Sequence, residues 1–380
     1  MVRGWGKIDF GLVATVGLAA LAAVVPAVAA ARPGDIYVAD NDGRVLRVKR
    51  ETGAVSIVAS GAPLVNPSGI AFDPLTEKLL VSDEGADSIF LVNRKTGAVS
   101  PAAPAGSPIA YPFGIARGAG GKIVFADADA GSGLTGALLR ISGGSATVID
   151  SGAPFGVDTY GLALAPSGLA LMADDATGVL RRTAAGATSV LASDPPLEDA
   201  TGLARAPDGT LYVADYGFGG IIRIKPNGNV LALTAPGAIG EPFDADLLPS
   251  GDLAVPDSTT GAVYRVNRLS GAVSPITATG IGDAYGVAVE PTLCGGRFAT
   301  LSGTNAADSF SGSRFGDRIA GLKGGDGLAG LRGADTLCGA QGGDALRGGK
   351  GRDRLIGGPG DDVCVGGPGR DRFSGCEVRR

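Results

Sequence analysis

Aspartate recurs every nine residues without a miss along the C-terminal part of the chain: Asp308, Asp317, Asp326, Asp335, Asp344, Asp353, Asp362 and Asp371. Two residues after each stands an apolar side chain, from Phe310 and Ile319 through Leu328, Leu337, Leu346 and Leu355 to Cys364 and Phe373. Ahead of the later aspartates the glycines complete Gly-Gly-x-Gly-x-Asp, as in Gly348-Gly349-Lys350-Gly351-Arg352-Asp353. A carboxylate beside a glycine-rich turn with exposed carbonyls is a set of hard oxygen ligands, the kind calcium takes at roughly 2.3–2.6 Å. The element that must position them is short. Three residues centred on the apolar one make a strand with that side chain inward, and the six before it make the turn. Glycine and aspartate alone would suit a solvated, disordered tail, but the unbroken apolar column argues for a packed stack of turns.

The chain has 380 residues and no histidine. That removes the commonest general base, the commonest transition-metal ligand and every Ser-His or Cys-His nucleophile. A formal net charge of −5 and the lack of a dense basic run argue against a nucleic-acid partner. No GxSxG, P-loop or HExxH pattern occurs.

A second repeat, of about 43 residues, fills the chain from Gly34 to Pro291. One unit runs Ala200-Thr201-Gly202-Leu203-Ala204, turn Pro207-Asp208-Gly209, Leu211-Tyr212-Val213-Ala214-Asp215, Ile221-Ile222-Arg223-Ile224, turn Pro226-Asn227-Gly228, and a last strand Val230–Leu233. Four short strands joined by tight turns are the grammar of a propeller blade. The second-strand aspartate recurs as Asp40, Asp83, Asp127, Asp174, Asp215 and Asp257, and each is expected to cap its own loop through backbone N–H groups. Gly-apolar-Ala recurs in the first strand, where small residues suit the crowded axis. The repeat opens on a second strand, Ile36–Asp40, and closes on a first strand, Tyr285–Val289. The two halves complete one shared blade, giving six.

The nonapeptides resemble the RTX, or haemolysin-type, calcium-binding repeats. The resemblance implies two nonapeptides per coil turn, with each ion between turns stacked eighteen residues apart. Residue by residue, that groups Asp326 with Asp344 and Asp362, and Asp335 with Asp353 and Asp371. The first two repeats depart from the pattern: Gly303–Asp308 lacks two of its glycines, and Phe315 replaces another. They read as a cap. The roll is near neutral, so calcium affinity in the range of extracellular modules, about 10⁻⁴–10⁻³ M, is expected. The blades resemble the NHL-type and SMP-30-like six-bladed propellers over residues 34–291. SMP-30-like lactonases hold a divalent ion in the channel with carboxylate and amide ligands. Streptogramin-lyase-like propellers are similar too, but histidine belongs to that family's active site.

The residues just before each first strand should ring the top of the channel. They supply the acids Asp158, Asp199, Glu241 and Asp283, and the aromatics Phe113, Tyr160, Phe243 and Tyr285. Blade six adds Asp244 and Asp246 where other blades carry small residues. These six acids form a candidate site for a divalent cation or a polar ligand. No catalytic residue is assigned.

Arg3 and Lys7, the apolar run Phe10–Ala31 and the pattern Ala27-Val28-Ala29 make residues 1–31 a secretory signal peptide. Read instead as a retained anchor, the run is long enough to span a bilayer. Cys294, Cys338, Cys364 and Cys376 fit export to an oxidising compartment. Four cysteines allow three pairings. A Cys364–Cys376 pair would seal the end of the roll, leaving Cys294–Cys338 to tie the linker to it. The sequence thus leads to an all-β, secreted, calcium-binding monomer: a six-bladed β-propeller over 34–291 and a parallel β-roll over 294–380. The propeller serves as a ligand-binding or scaffold module, with its unknown ligand at the top face and no stable membrane insertion after signal cleavage. The alternative is a lactonase with a channel metal.

Overall fold

The computed structural model describes residues 34–379 apart from 104–107, 119, 130–135, 157, 278 and 279. The segment 1–31, expected from the sequence to be a signal peptide, lies outside the described residues. Every described element is a β-strand, and six four-stranded antiparallel sheets form the blades of a propeller. A representative blade runs Ala200–Arg205, Leu211–Asp215, Gly220–Ile224 and Val230–Ala232, from axis to rim.

Closure occurs where the sequence places it. Ala284–Val289 pairs antiparallel with Ile36–Asp40, so that Val38 faces Val287 and Tyr37 faces Ala288. Ile36, Val38, Leu46, Ala254, Val263 and Val287 are buried together across the closing gap. Closure by pairing across the two ends of the propeller repeat leaves no exposed sheet edge at that seam. The axis is as crowded as the small residues suggest: a Cβ on Gly114 would lie 2.5 Å from both Leu162 N and the Tyr160 carbonyl. Blade six departs from the others. Its inner strand shrinks to Asp246–Leu247, with Pro242 bridged singly to Asp257.

The C-terminal part is a coil of two five-stranded parallel sheets, whose strands pair eighteen residues apart, as Ile319 with Leu337 and Leu328 with Leu346, except the last pair, where Val363 meets Val378. The three-residue strand holds at Arg354–Ile356, Val363–Val365 and Arg372–Ser374. In the middle of the stack it lengthens to six, as in Arg318–Lys323 and Thr336–Gln341, because stacked turns above and below continue the parallel ladder into the turn. Ile319, Leu328, Leu337, Leu346, Leu355 and Cys364 form the inward column, each at most 1% exposed.

A short hairpin, Leu293–Cys294 with Arg297–Phe298, joins the two parts. Phe298 packs on Phe72 with ring centroids 4.8 Å apart, and the Arg94 guanidinium lies over both rings. Arg94 also pairs with Glu290, which accepts the Tyr37 hydroxyl at 2.9 Å. Arg318 of the roll donates to the Pro74 carbonyl at 3.0 Å. The disulfides are Cys294–Cys338 and Cys364–Cys376, cross-links that need an oxidising compartment to persist.

Candidate metal centre

The repeat aspartates turn inward between coil turns: Asp326, Asp335, Asp344, Asp353 and Asp362 are 0–2% exposed. Each carboxylate is held by the coil turn before it. The N–H of Asp308 donates to Oδ1 of Asp326, Asp317 to Asp335, Asp326 to Asp344, Asp335 to Asp353, Asp344 to Asp362 and Asp353 to Asp371, all at 2.8–3.0 Å. The second oxygen, Oδ2, of Asp326, Asp335, Asp344, Asp353 and Asp362 is buried with no hydrogen-bond partner. A buried carboxylate oxygen left unpaired costs free energy unless a proton or a cation meets it. Burial is the main reason that the Asp335 carboxyl is pushed up to about 7 and Asp326 to about 6. The accepted N–H offsets part of the rise, and the carboxylate of the next turn adds to it.

The first two repeats solve the same problem differently. Thr304 donates its N–H at 2.6 Å and its hydroxyl at 2.9 Å to Oδ2 of Asp308, and Ser313 does the same for Asp317. At the equivalent place in the next three repeats the backbone is left-handed, at Leu322, Leu331 and Ala340 (φ 87°, 75° and 80°), and glycine takes over at Gly349, Gly358 and Gly367. Left-handed geometry turns the local N–H and side chain away from the carboxylate. At the far end, the N–H of Asp362 donates at 2.6 Å to Oε2 of Glu377. Glu377 thus stands in for a ninth repeat aspartate, held there by the adjacent Cys364–Cys376 bridge.

Thr304, Ser313 and Glu377 were missed by reading the nine-residue frame alone, because each acts where the frame fails. A further column was also missed: a glycine stands five residues before every aspartate of the series. At Gly330 a Cβ would press on the Asp335 carboxylate and sit 2.7 Å from the Gly348 carbonyl. Its signal was the one glycine shared by full and degenerate motifs.

On the propeller, every second-strand aspartate binds loop N–H groups. Asp215 takes those of Glu198 and Asp199 at 2.9 and 3.0 Å and that of Phe218 at 2.9 Å. Asp40, Asp83, Asp127, Asp174 and Asp257 repeat the pattern. These acids are structural clips.

The top of the axis is closed by two aromatic groups. Phe113 meets Tyr160 edge-on at 4.6 Å and Phe243 stacks on Tyr285 at 4.2 Å, leaving a void of about 20 Å³. Around this plug lie Asp158, Asp199, Glu241 and Asp283, joined by Glu84, Asp175 and Tyr216, which the sequence reading did not single out. Tyr216 donates to Oε1 of Glu241 at 3.1 Å and Ser258 to Oε2 at 2.8 Å. Burial, then repulsion among neighbouring carboxylates, raises Asp283, Asp158 and Asp175 above the usual range, and burial is the main cause at Glu84.

Asp244 and Asp246 face the channel below the plug, apart from that ring. Their Oδ2 atoms accept the N–H of Val287 at 3.0 Å and of Val289 at 2.7 Å, and their Oδ1 atoms accept the N–H of Ala245 and Leu247. They strap the short inner strand of blade six to the closing strand. Burial pushes their carboxyls up to about 8 and about 6. Among the described residues no three acidic or cysteine side chains converge as a preformed metal cluster.

The RTX calcium-binding nonapeptide repeat, in four copies, matches residues 302–337 and 339–373. No curated protein matches the chain. Among solved structures, a chain of a nidogen/laminin complex is similar at 16% identity and TM-score 0.58, over 67% of this chain and 97% of that one. A streptogramin B lyase is similar at 16% identity and TM-score 0.50, over 69% and 89%. At that identity the likeness is one of fold alone. The chain therefore carries RTX calcium-binding repeats behind a six-bladed β-propeller.

Proposed function

We propose that this is a secreted binding protein whose roll is folded by calcium and whose propeller, of NHL or SMP-30 type, presents the ligand site. The observation that carries the calcium part is the series of five buried, unpartnered Oδ2 atoms from Asp326 to Asp362. Asp326, Asp335, Asp344, Asp353, Asp362 and Asp371, with turn carbonyls, are the ligands of this reading. Calcium supplies positive charge between like-charged carboxylates and a cross-link between adjacent turns. Asp308 and Asp317, saturated by Thr304 and Ser313, stay outside the ligand set. A thin apolar column offers little against the backbone entropy of so many glycines, so the roll depends on this added term.

The polar ligand is placed at the top face, on the ring of Asp158, Asp199, Glu241 and Asp283 around the aromatic plug. Two disulfides support secretion. The test is calorimetry and circular dichroism on the full, oxidised chain in chelator and in millimolar calcium. A separate thermal transition that rises with calcium is expected. A β-sheet spectrum and melting curve indifferent to calcium would overturn the reading.

A further inference from the structure

Opposite the top face, the underside of the propeller and the first turns of the roll enclose a cleft of about 1570 Å³. Its walls are rich in arginine: Arg117, Arg140, Arg182 and Arg205 from the propeller, Arg314 and Arg332 from the roll. Arg117 and Arg182 are paired, with Asp73 and Asp150. Arg140, Arg205, Arg314 and Arg332 have no carboxylate partner among the described residues, and Nε of Arg140 is buried without a hydrogen bond. Burial lowers the pKa of Arg205, and the nearby Asp208 carboxylate offsets only part of that.

The acids that line the cleft are already engaged. Asp244 and Asp246 hold the closing strand, Glu290 holds Tyr37 and Arg94, and Asp317 holds Ser313. None of them forms an ion pair with Arg140, Arg205, Arg314 or Arg332.

The degenerate second repeat makes part of this wall. Phe315, which stands where a full motif has glycine, reaches the propeller at Gly120, where a Cβ would lie 3.2 Å from its ring. The Arg314 guanidinium lies over the same ring at 5.1 Å. That repeat has exchanged an ion-binding turn for an aromatic and a cation facing the cleft.

We propose that this cleft binds an acidic oligosaccharide. Its volume exceeds the roughly 300–1,000 Å³ of a small-molecule pocket, which suits an oligomer. Guanidinium forks match carboxylate and sulfate groups in bidentate geometry. Apolar stretches such as Leu75, Phe310 and Phe315 suit the C–H faces of sugar rings.

The experiment is isothermal titration of the full, oxidised chain in millimolar calcium. A hyaluronan oligosaccharide is the uronate probe, a heparin-derived one the sulfated probe and a chitin oligosaccharide the neutral one, with single-stranded DNA and polyphosphate alongside. Binding of the uronate or sulfated probe, and not the neutral one, is expected, and the tighter arm names the anion. Exchanging Arg140 and Arg205 together for glutamine should weaken binding about tenfold, the loss of about 1.4 kcal/mol of charge-assisted bonding. Arg223→Gln, outside the cleft, should change nothing. If the double variant melts early, the exposed Arg332→Gln decides by a several-fold loss. No binding of either acidic probe overturns the proposal. So do equal binding of DNA or polyphosphate and an affinity indifferent to the cleft arginines.

Discussion

The N–H of Asp335 donates at 3.0 Å to one carboxylate oxygen of Asp353, eighteen residues on, while the other oxygen of Asp353 is buried with no partner. One side chain thus carries both the hydrogen bond that stacks two coil turns and the free ligand between them. Each aspartate in the column couples the register of the roll to its demand for charge.

Asp353→Ala should therefore remove part of the calcium response itself. For one site at hundredfold excess, the lost stabilisation is about 2.7 kcal/mol. Asp308→Ala should cost about 1–3 kcal/mol through the unsatisfied N–H and hydroxyl of Thr304, with the calcium increment intact. Melting of both variants in chelator and in calcium checks this. Equal calcium increments in the two would place the ions elsewhere.

Leu331 is half-exposed and left-handed, so its side chain contributes little burial to offset the strain. Leu331→Gly should stabilise the roll by about 1 kcal/mol, as relief of a left-handed non-glycine residue. The gain should appear with and without calcium. A loss of melting temperature would show that the side chain matters more than the turn.

Removing the Cys364–Cys376 bridge by a paired Cys→Ser change frees the end of the chain that brings Glu377 to Asp362. A loop of about this size is worth about 3 kcal/mol. Hydrogen exchange should show protection lost first over Val363–Arg379, before the inner turns. Uniform loss along the roll would argue against an end cap.

Asp244 supplies a pH test of the propeller. Burial raises its carboxyl from an ordinary 3.8 to about 8, and the N–H groups of Val287 and Ala245 offset only part of that. Such a group contributes most below its unfolded pKa and loses its contribution as pH rises through the raised value. The propeller should melt lower at pH 8 than at pH 5, and Asp244→Asn should flatten that slope. A wild-type profile that is level over this range, or a variant that keeps the fall, would sink the assignment.

The sequence by itself determined the two repeats, their strand content and the point of closure, because these follow from local spacing. The period of nine with an apolar residue two places after each aspartate marks the turn and its inward side chain, and the resemblance to RTX repeats implies the eighteen-residue coil turn that brings Asp326 beside Asp344. The half-blades at Ile36–Asp40 and Ala284–Val289 leave each other as partners. Tertiary structure alone decided which atoms stay unsatisfied and which face is open. Thr304 and Ser313 look like ordinary turn residues until their hydroxyls are seen on Asp308 and Asp317. Asp244 and Asp246, grouped with the top-face acids by their place in the chain, hold strands below an aromatic plug. The arginine-lined cleft has no spacing to announce it, because its walls are far apart in the chain and are brought together by packing such as that of Phe298, Arg318 and Phe315 against the propeller. Hydrogen-bond partners and shared cavities depend on distances in space, and a repeat fixes those distances only within itself.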